Sequence, residues 1–281
     1  MTQTKMPRTI LTLLFLVITA RLDEAHESQE SENGPTSQKG IFDPDEFERI
    51  FKIFKTWKWD REFEMKTLNI TLNFLENPIR PIVHLSEAAR VIAYYLEESC
   101  EENNWVHGKK VLELGAGLGL PGIVAACLGG NVTVTDHPEI VPYLQMSIDL
   151  NPETIQKISG EIRAEVLSWG DDKKIRSMPR QDIILLSEAI YDDLTVDELI
   201  STMVRLSHDD TTIIVSEGDW IEMEGSELEE AWTKFFHDSS EYFEFSPLPK
   251  WSDCLMFVGK VRKTSNTEEK TSEISPGHTE F

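Results

Sequence analysis

Cysteine is scarce in this chain of 281 residues, with Cys100, Cys127 and Cys254 its three examples. The number is odd and the spacing suits no metal, so neither a disulfide framework nor a metal site is expected. Positive charge is also in short supply: 27 Lys and Arg face 50 Asp and Glu, for a formal net charge of -23. The ends contribute little of it. Residues 1–40 hold 4 basic and 5 acidic groups, and residues 261–281 hold 3 and 4, which leaves the stretch between them near -21. Such a field repels phosphate backbones and excludes nucleic acid as the expected partner. It favours a basic protein surface, or a cationic side chain offered as substrate.

Long apolar runs are missing too. Residues 10–20, preceded by Lys5 and Arg8, form an apolar stretch with the proportions of a signal peptide. It is too short for a membrane span. Sequons at Asn69 and Asn131 add little, because Asn131 opens a predicted core strand. The cysteine usage points to a reducing, cytoplasmic setting, with the secretory pathway as the alternative. Residues 22–40 and 262–281 are polar and nearly free of large apolar side chains, so both are expected to be disordered. One domain is therefore expected over residues 41–261, and the sequence contains no internal repeats.

Within that domain, residues 42–51 suggest a short amphipathic helix with Asp43 as cap. Residues 62–65 and 68–72 suggest a β-hairpin. Helix and hairpin are expected to flank or cover the functional cleft. Ser86 precedes a helix over 87–98, with Ala88, Val91, Ile92, Tyr95 and Leu96 at helical spacing. Strands are then expected at 110–114, 132–135, 162–167, 182–187, 211–216, 240–245 and 253–260, and helices near 119–128, 138–149, 195–207 and 226–237. The runs Asp182-Ile-Ile-Leu-Leu186 and Thr212-Ile-Ile-Val215 do not alternate, as befits strands buried on both faces. The implied fold is α/β: a Rossmann-like, doubly wound, seven-stranded sheet, mostly parallel, with an antiparallel hairpin at one edge.

The run Val111-Leu-Glu-Leu-Gly-Ala-Gly-Leu-Gly119 gives the sheet a chemistry. A strand feeds a glycine turn that opens a helix, and helix N–H groups attract a carboxylate or a phosphate alike. Gly115 permits the tight turn, Gly117 lets backbone approach a ligand, and Gly119 lets the helix pack near the strand. A dinucleotide pattern needs glycine at position 120, where Leu120 stands. Glu113, two residues ahead of the first glycine, would repel a pyrophosphate and suits the ammonium end of a methionine. Asp136, ending the following strand, is placed for the two hydroxyls of a ribose. These details favour S-adenosylmethionine over a dinucleotide, or over a glycine turn that binds nothing.

The residues from about 82 to 260 resemble the class I, seven-strand protein methyltransferases, in the methyltransferase-like 21 group that includes lysine methyltransferases of chaperones and elongation factors. Tyr95-Leu-Glu, the glycine run, Val132-Thr-Val-Thr-Asp136, Trp169-Gly170 and Ser187-Glu-Ala-Ile-Tyr191 fall in family order. The resemblance implies that Gly115, Ala116 and Gly117 contact the cofactor and that Trp169 lies against the adenine. Ser187 would line the same site, and Glu188 and Tyr191 would form the acidic-x-x-Tyr element beside the transferred methyl group. Two positions depart from the pattern. His84 stands where the family usually has Trp, ahead of Leu85-Ser86-Glu87-Ala88, and is expected to fill that slot beside the cofactor. Glu188 replaces the usual Asp. The implied activity is methylation of a protein, with the lysine amine as first reading and a histidine acceptor or an inactive adaptor as alternatives. The chain is expected to act as a monomer.

Overall fold

The computed structural model describes residues 61–76, 84–156, 160–218 and 227–263. The expected helix at 42–51, the signal-like stretch and nearly all of both polar tails lie outside them. Arg262 does not belong to a tail: its backbone N–H donates to the Tyr242 carbonyl at 2.8 Å and its Nε to the Ser240 carbonyl at 2.7 Å.

Strands β1 (Arg61–Met65) and β2 (Ile70–Phe74) form an antiparallel hairpin. Phe63, Met65, Leu72 and Phe74 are buried beneath it, and the Phe63 ring lies 4.8 Å from that of Tyr94 on α1 (Glu87–Ser99). Glu97, also on α1, accepts from the N–H and hydroxyl of Thr67 at 2.7 and 2.8 Å. The hairpin is thus fastened to α1, and Glu76, just beyond β2, accepts from the Leu85 N–H at 2.9 Å ahead of that helix.

The main sheet is built from β3 (Lys110–Leu114), β4 (Asn131–Asp136), β5 (Glu161–Val166), β6 (Gln181–Ser187), β7 (Ser207–Gly218), β8 (Phe243–Pro247) and β9 (Cys254–Val261). Its order is β5-β4-β3-β6-β7-β9-β8. The first five run parallel, while β9 pairs antiparallel with both β7 and β8. Helices α2 (Leu120–Cys127), α3 (Val141–Asp149) and α4 (Pro152–Gln156) share one apolar cluster with α1. On the other face, α5 (Asp172–Ser177), α6 (Val196–Leu206) and α7 (Glu227–Ser239) enclose a second cluster. Val111, Leu112 and Leu114 of β3 are each fully buried, as a strand covered on both faces must be. The seven-stranded, mostly parallel sheet agrees with the architecture expected from sequence.

The order of strand addition reverses between the parallel neighbours β3 and β6: the strands before β6 step toward the β5 edge, and those after it step toward the β8 edge. Doubly wound sheets hold ligands at such a switch point, outside the carboxyl ends of the strands. The loops after β3, β4 and β6 meet there.

Candidate functional site

A cavity of about 270 Å³ opens at this point. Gly115, Ala116, Gly117, Leu118 and Gly119 after β3 form its floor, with Asp136 and His137 after β4 on one side. Leu167 and Trp169 follow β5; Ser187 ends β6, with Glu188, Ala189 and Tyr191 after it; His84, Leu85, Ser86 and Ala89 close it from the start of α1. The structure therefore brings together every residue expected from sequence except one.

The exception is Glu113. Its side chain is wholly buried beneath the glycine loop and does not reach the cavity. The expected contact with a ligand ammonium is corrected to a structural role. Helix α2 starts on Gly119, which has no side chain to cap it, and Pro121 has no N–H. One carboxyl oxygen of Glu113 accepts from the Gly122 N–H at 2.8 Å, so the strand supplies an acceptor for one of the free N–H groups of the first turn. The other oxygen has no hydrogen-bond partner among the described residues. Burial pushes the carboxyl up to about 8, the Gly122 N–H opposing and the Asp136 charge adding. The folded state thus holds a proton that the unfolded chain gives up near pH 4.5, and stability falls as pH rises from there toward 8. Glu113→Gln is expected to gain stability on native protein across that window, by roughly 5 kcal/mol near pH 8. Parallel curves of Tm against pH for the two proteins would refute the protonated state.

The close approach expected at Gly119 is shared with Gly122. Gly119 has φ +74°, and a Cβ there would stand 2.5 Å from Leu144 Cδ1 on α3. A Cβ on Gly122 would stand 2.3 Å from Val134 Cγ1 on β4 and 2.7 Å from the Glu113 carboxyl. It is Gly122 that lets the helix lie against the strands. Its fixed three-residue offset from Gly119 was the available signal.

Asp136 is 8% exposed and fixed by two backbone donors, the Gly117 N–H at 2.8 Å and the His137 N–H at 2.7 Å, one to each oxygen. Burial raises its proton affinity, and those two donors oppose the rise. Each oxygen keeps a lone pair, so a diol entering the cavity finds two acceptors already aimed. Trp169 forms an aromatic wall: its ring edge would meet a Cβ on Gly115 at 3.4 Å, and its centroid lies 6.1 Å from that of Tyr191. Ser187 ends β6 in register with Ser216 of β7.

Glu188 follows at φ +49°, a left-handed conformation rare for a glutamate, with its N–H donating to the Ser216 carbonyl at 3.1 Å. Such a residue is strained by about 1–3 kcal/mol and persists where its surroundings hold it. Its carboxyl lies 3.8 Å from His84 Nε2. Burial raises the Glu188 proton affinity, with His84 opposing. Tyr191 is 45% exposed at the mouth. Its hydroxyl is pushed up by burial first and then by the charges of Asp136, Asp192 and Glu139. The mouth is therefore negative, as the composition suggested. Sequence reasoning passed over Leu85, Ser86, Leu118, Leu120, His137 and Leu167, which lend apolar or backbone surface; adjacency to Asp136 was the one pointer to His137.

A sequence profile of the lysine methyltransferase family matches residues 68–237. Protein N-lysine methyltransferase METTL21A of Danio rerio is 36% identical over 131 residues, which make up 46% of this chain and 57% of that protein. Protein-lysine methyltransferase METTL21E of Bos taurus is 33% identical over 181 residues, 63% of this chain and 60% of that protein. The chain thus matches somewhat over half the length of these relatives. Among solved structures, an O-methyltransferase from Bacillus cereus in complex with SAH aligns with a TM-score of 0.48 and 13% identity, over 65% of this chain and 84% of that one. With its profile match running from β2 into α7 and its seven-stranded sheet in place, the chain belongs to the lysine methyltransferase family, among the class I methyltransferases of the METTL21 group.

Proposed function

We propose that the protein transfers a methyl group from S-adenosylmethionine to a lysine amine of a protein substrate. One observation carries the reading. The cavity joins a buried carboxylate with two aimed oxygens, Asp136, to a strained acidic residue at its mouth, Glu188, in a chain of the lysine methyltransferase family. Asp136 receives the ribose hydroxyls, and the methionine end lies over the backbone of the glycine loop, whose Gly117 N–H holds Asp136 in place. Trp169 covers the adenine, where an aromatic face adds stacking and apolar burial. The methyl donor supplies an electrophilic carbon on a positively charged sulfur. The protein chiefly supplies alignment and a neutral nucleophile.

A lysine arrives as an ammonium and must lose its proton before it can attack. Glu188 draws it in and accepts that proton, while Tyr191 offers an aromatic wall and a hydroxyl beside the path. The nitrogen then forms its bond to the methyl carbon as the carbon–sulfur bond breaks, and the electron pair stays with sulfur. The acidic mouth at Glu139 and Asp192 steers a basic surface toward this point. Cys100, Cys127 and Cys254 are all buried and none forms a disulfide, which supports a reducing, cytoplasmic setting. Among the described residues no helix is long and apolar enough to cross a membrane.

The test is to incubate the protein with isotope-labelled S-adenosylmethionine and cell lysate, then locate the label by mass spectrometry. Label on lysine is expected. Label on histidine would replace the acceptor, and binding of the methyl donor without any label would make the protein an adaptor.

A further inference from the structure

Leu194 is 79% exposed, the most open of the large apolar side chains among the described residues. The chain on either side keeps it from folding inward. Ile190 and Val196 are each 1% exposed and belong to the apolar cluster around α6. Between them the Asp192 carboxyl accepts from the Leu194 N–H at 2.9 Å. The Asp192 carbonyl accepts from the Thr195 N–H at 3.2 Å and from its hydroxyl at 2.9 Å. These bonds close a single 3-10 turn, Asp193–Thr195, that presents Leu194 to water.

A lone exposed leucine calls for no explanation. The position of this one does. Tyr191, itself half-exposed, lines the cavity three residues earlier, and three residues of chain reach at most about 10 Å. A protein whose lysine enters beside Glu188 has its neighbouring surface within reach of this turn. The charge there has the matching sign. Asp192 is engaged by the Leu194 N–H and Asp197 by Lys234, while Asp193 is exposed on the turn and Glu139 is exposed after β4.

We propose that Leu194 and Asp193 form a docking ledge for the substrate protein. Leu194 receives an apolar side chain about 10 Å from the acceptor lysine, and Asp193 receives a basic one beside it. The inference rests on the methyltransferase reading above and adds to it the surface chemistry of the substrate. Covering the leucine removes apolar area from water, which gives affinity, and the carboxylate selects a basic surface over an acidic one.

The probe is unfractionated lysate protein, diluted so that label transfer from S-adenosylmethionine is proportional to its concentration. Leu194→Ser is expected to lower the rate about tenfold, at the modest end of what shielding a leucine side chain contributes. Leu194→Met keeps an apolar chain of similar volume and should stay within about threefold of native. Asp193→Asn should lower the rate about threefold at low salt and not at high salt, whereas the Leu194→Ser deficit persists at both. Leu194→Ser at the native rate would overturn the proposal, and so would Leu194→Met as slow as Leu194→Ser. A fall for Asp193→Asn that ignores salt would overturn the role of its charge. Leu194 does not line the cavity, so weakened S-adenosylmethionine binding by Leu194→Ser would also count against the ledge. A native dimer that Leu194→Ser splits would assign the leucine to self-association instead. Absence of labelling by the native protein defeats the methyltransferase reading itself; labelling that ignores Leu194 defeats the ledge alone.

Discussion

Glu188→Ala is expected to lower methyl transfer by at least about a hundredfold while leaving the dissociation constant for S-adenosylmethionine within a few-fold. The geometry separates the two effects. Glu188 lies at the cavity mouth beside His84, whereas the donors and acceptors suited to the ribose and methionine sit on the β3 and β4 loops. Removing the carboxyl takes away the group that draws in and deprotonates the acceptor. Glu188→Gly is the control for backbone strain, since glycine adopts φ near +49° freely. It should match or exceed native stability and show the same loss of turnover. Calorimetry for binding and label transfer for turnover decide the matter, and equal losses in both would contradict the role given to Glu188.

The second large effect is expected at Asp136. Asp136→Ala should weaken S-adenosylmethionine binding by about a hundredfold or more, because two hydrogen bonds to a charged group are worth roughly 1.5–3 kcal/mol each. The loss has a second source. The carboxylate holds the Gly117 N–H, so its removal also frees the glycine loop. Asp136→Asn, which keeps one carbonyl oxygen, should fall between the two. An unchanged dissociation constant for the alanine variant would remove Asp136 from the site.

The legible part of this molecule was its hydrophobic periodicity. Strands β6 and β7 contain runs too apolar to lie anywhere but between two helical layers, and β3, β4, β6 and β7 were each found within a few residues of their place. The polar residues Ser207–Asp210 hid the start of β7. That stretch pairs through Ser207 with Gln181, across a register shift that periodicity does not show. Helices α4 and α5 were passed over as well. With five and six residues they are too short for a periodic signal, and α5 is announced only by the Asp171 side chain accepting from the Lys174 N–H. In the site, Asp136 was legible because it ends a strand, and Glu188 through the resemblance of Ser187-Glu-Ala-Ile-Tyr191 to the family pattern. Glu113 was misplaced because β3 does not alternate: sequence alone cannot say which way a carboxylate points from a strand buried on both faces.

The insertion of β9 between β7 and β8 has a bearing on how this protein comes into being. Ile213, Ile214 and Val215 are sealed along one edge by a strand that begins only at Cys254. Until that late segment has been synthesised and docked, a nascent chain exposes an unpaired, strongly apolar ribbon, the kind of template that recruits other chains. Truncation ahead of Cys254 should therefore cost solubility, and a folding helper would find its target on that open flank.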